Sequence, residues 1–500
     1  MICLVHLVTP NGRRSEGEHV LMSRRSILQN ILHVSSGQAL AMLCGLVTHA
    51  YLARVLGPGN YGILGFAVSV VSYFGILASL GTDMWGARTI ARQDREISAI
   101  TADIVSLRLA LSLVSLVLLI ALVSVWQESS TVNAVILIQA ASLFIAALTL
   151  DFAFQGLERL DVAARRQMIS AVIALVGMLV FMQYGGSAIT ATIVFQAAAF
   201  VAALYAVVIF RRAVAILPLR ISFTAWKNIL RASVPFAVTG VVNAIYFSID
   251  VVIIGLVLSK EEVGLYVAAG RVLTVGLSVA GVFTTAFMPV LSRLVAERDS
   301  RRKASLHLAR SVIFTGGLIA SGGFLLAPEI IHLLFGSGFA RAEQALRILM
   351  INLAATHVLT VYHLQLMTWN HERAQMVIMI AGATLNVLLN LIFIPRFGIE
   401  AAAATTLAST LFVMALAYIV LARHGDECHS LVIVQNTIFF GVAAWGGYAV
   451  LAVTGHAIET PAGRFIVFGT LLALLYGAIG WGLGIIRPAE ISRYLTRNQN

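Results

Sequence analysis

The chain alternates between long apolar stretches and short polar gaps from about residue 28 to residue 486. A helix of ~20 apolar residues spans a ~30 Å hydrocarbon layer, and fourteen stretches meet that length. They are predicted over 28–53, 61–83, 100–125, 132–154, 167–184, 188–210, 230–257, 264–292, 310–335, 343–368, 374–394, 398–422, 430–453 and 464–486.

The gaps carry a second pattern. Of the 34 Lys and Arg residues, 26 fall in or beside every second gap and six in or beside the others, while Arg108 and Arg271 remain inside spans. Basic loops stay on the cytoplasmic side of a membrane. Both termini are therefore expected in the cytoplasm of a bacterial inner-membrane protein, in agreement with an even number of helices. The largest basic gaps are 211–229 and 293–309, the second holding Arg298, Arg301, Arg302 and Lys303. Contact with phospholipid headgroups is the modest reading of those charges. No gap is long enough for a soluble domain, so any chemistry must take place between helices.

Composition narrows the picture. Apolar residues make up 59% and charged residues 11%, with a mean hydropathy of +0.91, whereas soluble chains average about 25% charged residues. The formal net charge of +11 follows from the basic-loop bias. Without a basic stripe interleaved with aromatics, a nucleic-acid partner is not expected. Cys3, Cys44 and Cys428 are too far apart for a disulfide framework or a zinc site. No cofactor or metal is expected, and without a GxxxxGK[ST] loop neither is ATP hydrolysis by this chain. The apolar run 2–8 lacks the flanks of a signal peptide. Residues 1–21 are expected to be a dispensable tail or a mis-assigned start, Met22 being a natural first residue.

An internal repeat underlies the spans. Leu56–Ala67 resembles Leu258–Ala269 at an offset of 202; Gln155 echoes Gln365 and Gly185 echoes Gly398 at offsets of 210 and 213. Six helices return the chain to the side it started from, so the copies should be parallel. The expected fold is all-α and integral to the membrane. About 14 transmembrane helices form two six-helix lobes around a central cavity, plus two C-terminal helices. Its expected segments are a tail 1–27, an N-lobe 28–210, a basic linker 211–229, a C-lobe 230–422, a helix pair 430–486 and a tail 487–500.

Several segments together resemble polysaccharide flippases of the Wzx type. They are ARVLGPGNYG at 53–62, FQGLER at 154–159, IDVVIIG at 249–255, VGLYVAAGR at 263–271, NVLLN at 386–390, IPRFG at 394–398 and AAAA at 401–404. The resemblance implies the multidrug/oligosaccharidyl-lipid/polysaccharide exporter fold with a V-shaped cavity. It also implies an activity, moving a polyprenyl-diphosphate-linked oligosaccharide between leaflets, driven by an ion gradient and without enzymatic residues. Its partners would be that substrate, membrane lipids and polysaccharide polymerase or export proteins. A multidrug antiporter of the same superfamily is the nearest rival, favoured by an acidic, aromatic cavity. A polytopic polysaccharide polymerase or ligase is the rival from another class, against which the short outer gaps argue.

Charges inside spans are costly and mark candidate sites. Asp250 and Arg271 lie 10 residues before and 11 after Lys260, so a hairpin turning there would bring them to one depth as an ion pair. Either they neutralise each other, or Arg271 meets the diphosphate while Asp250 holds it or exchanges a proton. Arg108 should snorkel or line the cavity, and His357 is a packing or proton-sensitive group. Asn386 and Asn390, one turn apart, would bind sugar or bind helices together. Asn243 completes the cavity candidates.

Overall fold

The computed structural model describes residues 24–92, 96–214, 221–295, 297–425, 428–435, 441 and 460–482. The tail 1–21 and most of the predicted span 430–453 lie outside them. Every regular element among the described residues is helical. The first half of the chain supplies α1 (Arg24–Ser79), α2 (Thr82–Ala91), α3 (Ile97–Val125), α4 (Ser130–Gln139), α5 (Ala141–Leu148), α6 (Asp151–Gly156), α7 (Leu160–Phe181) and α8 (Ala188–Ala213). The second supplies α9 (Phe223–Val257), α10 (Lys260–Arg293), α11 (Arg298–Leu325), α12 (Ala327–Phe335), α13 (Glu343–Thr368) and α14 (Glu372–Arg423), followed by α15 (Pro461–Gly482).

The polar gaps end the helices by identifiable means. Ser129, Ser187, Ser222 and Ser259 each accept a hydrogen bond from the backbone N–H three residues on, at 3.2–3.3 Å, which satisfies a donor the helix start leaves open. Gly57 and Gly398 adopt φ of 70° and 71° and break α1 and α14 into two helices each. Among the described residues, eleven helical stretches are long and apolar enough to cross a membrane. Two of them are these broken pairs, so they make thirteen crossings. The predicted span 310–335 divides: α11 runs back to Arg298 through the basic segment, and α12 restarts at Ala327 with Pro328 in its first turn, where a missing N–H costs nothing.

The apolar core shows how the halves meet. At the end containing Gly57 and the turn Leu258–Ser259, one cluster mixes Leu52, Tyr61 and Phe66 of the first half with Ile254, Leu265 and Phe339 of the second. At the opposite end there are two cores: Ile104, Phe154 and Phe210 of the first half, joined by Ile229 at the start of α9, and Leu308, Leu359 and Leu421 of the second half. Joined cores at one end and separate cores at the other make a V.

The repeat is visible at the joined end. A Cβ on Gly62 would strike the Lys260 carbonyl and the Gly264 nitrogen, and one on Gly264 would strike Pro58; one on Gly65 would meet Val267 at 2.7 Å. Gly62 and Gly264, like Gly65 and Val267, are equivalents at the offset of 202. Equivalent residues touching is what a two-fold relation between parallel copies produces. Gly185, with φ of 87°, and Gly398 also share their left-handed backbone. Gln155 and Gln365 do not match: the first is exposed, whereas the second is buried and donates to Ser305.

Candidate functional site

Between the separate cores lies a cavity of about 990 Å³, bounded by α1 and α2 on one side and by α9, α10, α13 and α14 on the other. Its wall is mostly apolar, with polar positions at Ser69, Asn243, Thr274, Asn352 and His363 and charges at Arg271, Asp250 and Glu372. Of the residues singled out in the sequence, Arg271, Asp250 and Asn243 line it. Arg108, His357, Asn386 and Asn390 do not.

Asp250 and Arg271 do not pair. The hairpin turns at Leu258–Ser259, between the end of α9 and the start of α10. Residue 267 thus lies level with Asp250, and Arg271 is four residues, or ~6 Å, further along. Tyr266 takes the place expected of Arg271 and donates to Asp250 Oδ2 at 2.7 Å. Thr406 donates to the same oxygen at 2.8 Å, and Asn390 Nδ2 donates to Oδ1 at 2.6 Å. Asn390 Nδ2 also donates to Asn386 Oδ1 at 3.0 Å, while Thr405 donates to Asn390 Oδ1. A buried carboxylate is thus held by three hydrogen bonds from three helical segments, with no counter-ion. Asn386 and Asn390 are both buried and turned toward Asp250 and Thr405 rather than toward the cavity.

Arg271 reaches the first half instead. Its charge acts on His49 and Tyr61 of α1, whose side chains meet at 3.3 Å (Tyr61 hydroxyl to His49 Nδ1) across the Gly57 kink. The Arg271 Nε is buried and has no hydrogen-bond partner. The guanidinium is also hydrogen-bonded to Tyr61, but it stands on the cavity wall with no acid against it, and such a cation can take an anion.

Arg108 neither snorkels nor reaches the cavity. It is 3% exposed, pairs with Asp83 at 2.7 Å, donates from Nε to Thr82 at 2.7 Å and stacks over Phe152 at 4.7 Å, so it ties α3 to α2 and α6. His357 is fully buried beside Gly316, with its Nδ1 2.9 Å from the Leu353 carbonyl, which makes it a packing residue. The sequence reading passed over His363 and Glu372. A lone His near a helix end and a Glu at the start of the next helix carry no spacing that marks them, although both line the cavity. Among the described residues no three His, Cys, Asp or Glu come together to hold a metal.

Helices enclosing one large cavity between two related halves define a multi-pass membrane protein built on the plan of a solute carrier. Residues 27–295 match the family described as polysaccharide biosynthesis protein, and the chain belongs to it. It is 23% identical over 403 residues to the putative O-antigen transporter of Escherichia coli K12, covering 79% of this chain and 96% of that protein. It is 27% identical over 193 residues to the probable low-salt glycan biosynthesis flippase Agl15 of Haloferax volcanii, covering 38% and 40%. Among solved structures, the lipid II flippase MurJ in an inward closed conformation superposes with a TM-score of 0.74 at 16% identity over 91% of this chain and 99% of that one. A multidrug resistance MATE transporter in an inward-facing conformation gives 0.61 at 14% identity over 82% and 98%. These two likenesses concern the fold.

Proposed function

We propose that this protein flips a polyprenyl-diphosphate-linked oligosaccharide across the bacterial inner membrane for surface polysaccharide export. The chain loads its substrate from the cytoplasmic leaflet through the wide end of the V. The observation that carries this reading is Arg271, a cation with no acid against it, on the wall of a cavity large enough for several sugar residues. Carrying a diphosphate through a low-dielectric slab requires a fixed cation to offset its charge. The sugar meets Asn243 and Asn352, and the polyprenyl tail stays in lipid through the gap between the halves. No bond is made or broken, so the chain is a transporter and not an enzyme. An ion gradient supplies direction through Asp250, whose contacts join α9, α10 and both parts of α14 and so bind the packing of the second half to its protonation.

The experiment is made on a deletion strain. Lipid-linked oligosaccharide is extracted and its leaflet assayed. The expected result is accumulation on the cytoplasmic side, relieved by the wild-type gene, partly by Arg271→Lys and not by Arg271→Ala. Normal flipping by Arg271→Ala at wild-type abundance would sink the role given to this cation. The drug-antiporter reading draws on Glu372 with Met367, Met376 and Met379 at the wide end, a lining suited to apolar cations. Sensitivity of the strain to cationic dyes with normal lipid-linked sugars would favour it.

A further inference from the structure

We propose that Lys260 is a second anion-binding station, at the outer end of the route, masked by Glu128 while that end is closed. The inference rests on the flippase reading and extends it to the release step. Lys260, Gly264, Val267 and Arg271 stand at i, i+4, i+7 and i+11, on one face of α10. At ~1.5 Å per residue the two cations are about 16 Å apart along the helix. This face lies against α1, where Gly62 meets the Lys260 carbonyl and Gly264, and Gly65 meets Val267. Between the cations the face carries nothing larger than valine. Parting the halves at this end would turn it into a groove with a cation at each end.

The surroundings of Lys260 come from two sources. Its Nζ donates to Glu128 Oε1 at 2.7 Å, with the two side chains 18% and 21% exposed, and lies 3.9 Å from the centre of the Phe66 ring. Glu128 sits between α3 and α4 and Phe66 on α1, so both belong to the first half. The remaining partner, the Gly255 carbonyl at 2.7 Å, belongs to the same half as Lys260. Separation of the halves therefore removes the carboxylate and the ring together and leaves an ammonium with one neutral acceptor. A lipid diphosphate is the ligand of matching chemistry, since a phosphate oxygen can accept the hydrogen bond that Glu128 releases. Two other cations at this end are differently held. Arg341 pairs with Glu262 of its own half, and Arg54 donates to the His332, Leu333 and Leu334 carbonyls that end α12. By competing with Glu128, the diphosphate favours the outward-open arrangement.

A plain latch between the halves would show the same ion pair, and exchanging the two residues separates the ideas. Lys260→Glu with Glu128→Lys keeps the pair but places a carboxylate on the groove. The full-length protein, with its three cysteines changed to serine and a Thr274→Cys reporter in the cavity, is labelled from outside with an impermeant maleimide. The same variants, in liposomes, are assayed for flipping of a fluorescent polyprenyl diphosphate. The exchange should protect the reporter as the wild type does, yet slow flipping about tenfold or more, the scale of one lost charge-assisted contact. Lys260→Arg should keep most of the rate and Lys260→Gln lose about tenfold. Glu128→Gln should raise outside labelling and slow flipping less than Lys260→Gln does. Wild-type flipping by the exchanged protein overturns the station and leaves a latch. Should the exchanged protein not fold, equal rates and labelling for Lys260→Gln and Glu128→Gln overturn it as well. Arg271→Ala in the same liposomes keeps the two readings apart. Undiminished flipping there removes the cavity reading, whereas loss there with a fully active exchange variant removes only Lys260.

Discussion

Asp250 accepts hydrogen bonds from Tyr266, Thr406 and Asn390, which stand on α10 and on the two parts of α14. Tyr266 and Thr406 share Oδ2, so removing Asn390 leaves Oδ1, a buried charged oxygen, without a side-chain partner, which costs about 1–3 kcal/mol or more. Asn390→Ala should therefore lower the thermal unfolding midpoint of the purified protein by more than Asn386→Ala. The latter loses one acceptor, and its own Nδ2 is already unpartnered. The reverse order would show that the cluster is not centred on Asp250. Asp250→Asn should fold and still bind a lipid diphosphate while losing its response to an imposed proton or sodium gradient in liposomes. A full gradient response in that variant would remove Asp250 from coupling. The sequence marked Asp250 because a carboxylate inside an apolar run is rare. It could not supply the partner, because two residues' difference in the position of the turn moves the facing residue by four. Arg108 was open to misreading for a related reason: Asp83, Thr82 and Phe152 are 25, 26 and 44 positions away, and only the packing of α2 and α6 brings them to it.

At the scale of elements, the kinked helices and the glycine seam decide how the halves touch. At Gly62 and Gly264 an added Cβ meets backbone, which cannot rotate away as a side chain can. Gly62→Ala and Gly264→Ala are expected to hold the outer end apart and raise outside labelling of the Thr274→Cys reporter. Gly45→Ala, whose Cβ would meet nothing within 4 Å, should leave labelling unchanged. Equal labelling of all three would mean that α1 and α10 can repack at no cost. The spans themselves were legible: α13 begins and ends where predicted, at Glu343 and Thr368. The divisions at Ala140, Leu150 and Leu326 were not. They fall inside predicted spans, where the averaged hydropathy has little contrast, and two of them are set by local backbone or by a proline in the next turn.

The whole molecule is closed where the two halves share a core and open where they do not. In the proposed orientation the gaps at 126–129, 185–187 and 258–259 face the periplasm, and those at 214–222 and 294–297 face the cytoplasm. Alkaline phosphatase fused after Gly186 should be active, and after Arg302 inactive; the opposite result would invert the membrane orientation and the direction of loading with it. The sequence by itself determined the solvent, the helical, multi-pass character of the chain and the duplication. Each of these is a property of hydrophobic content and period along one strand of chain, and needs no knowledge of which helix neighbours which. The tertiary structure decided that Asp250 is sealed by asparagine, threonine and tyrosine, that Arg271 stands on the cavity wall with no acid against it, and that Lys260 is covered by the other half. Those outcomes depend on the rotation of each helix about its axis. A rotation of a third of a turn exchanges a cavity residue for a packing one, and it is fixed by side-chain fit among helices that all look alike in apolar content.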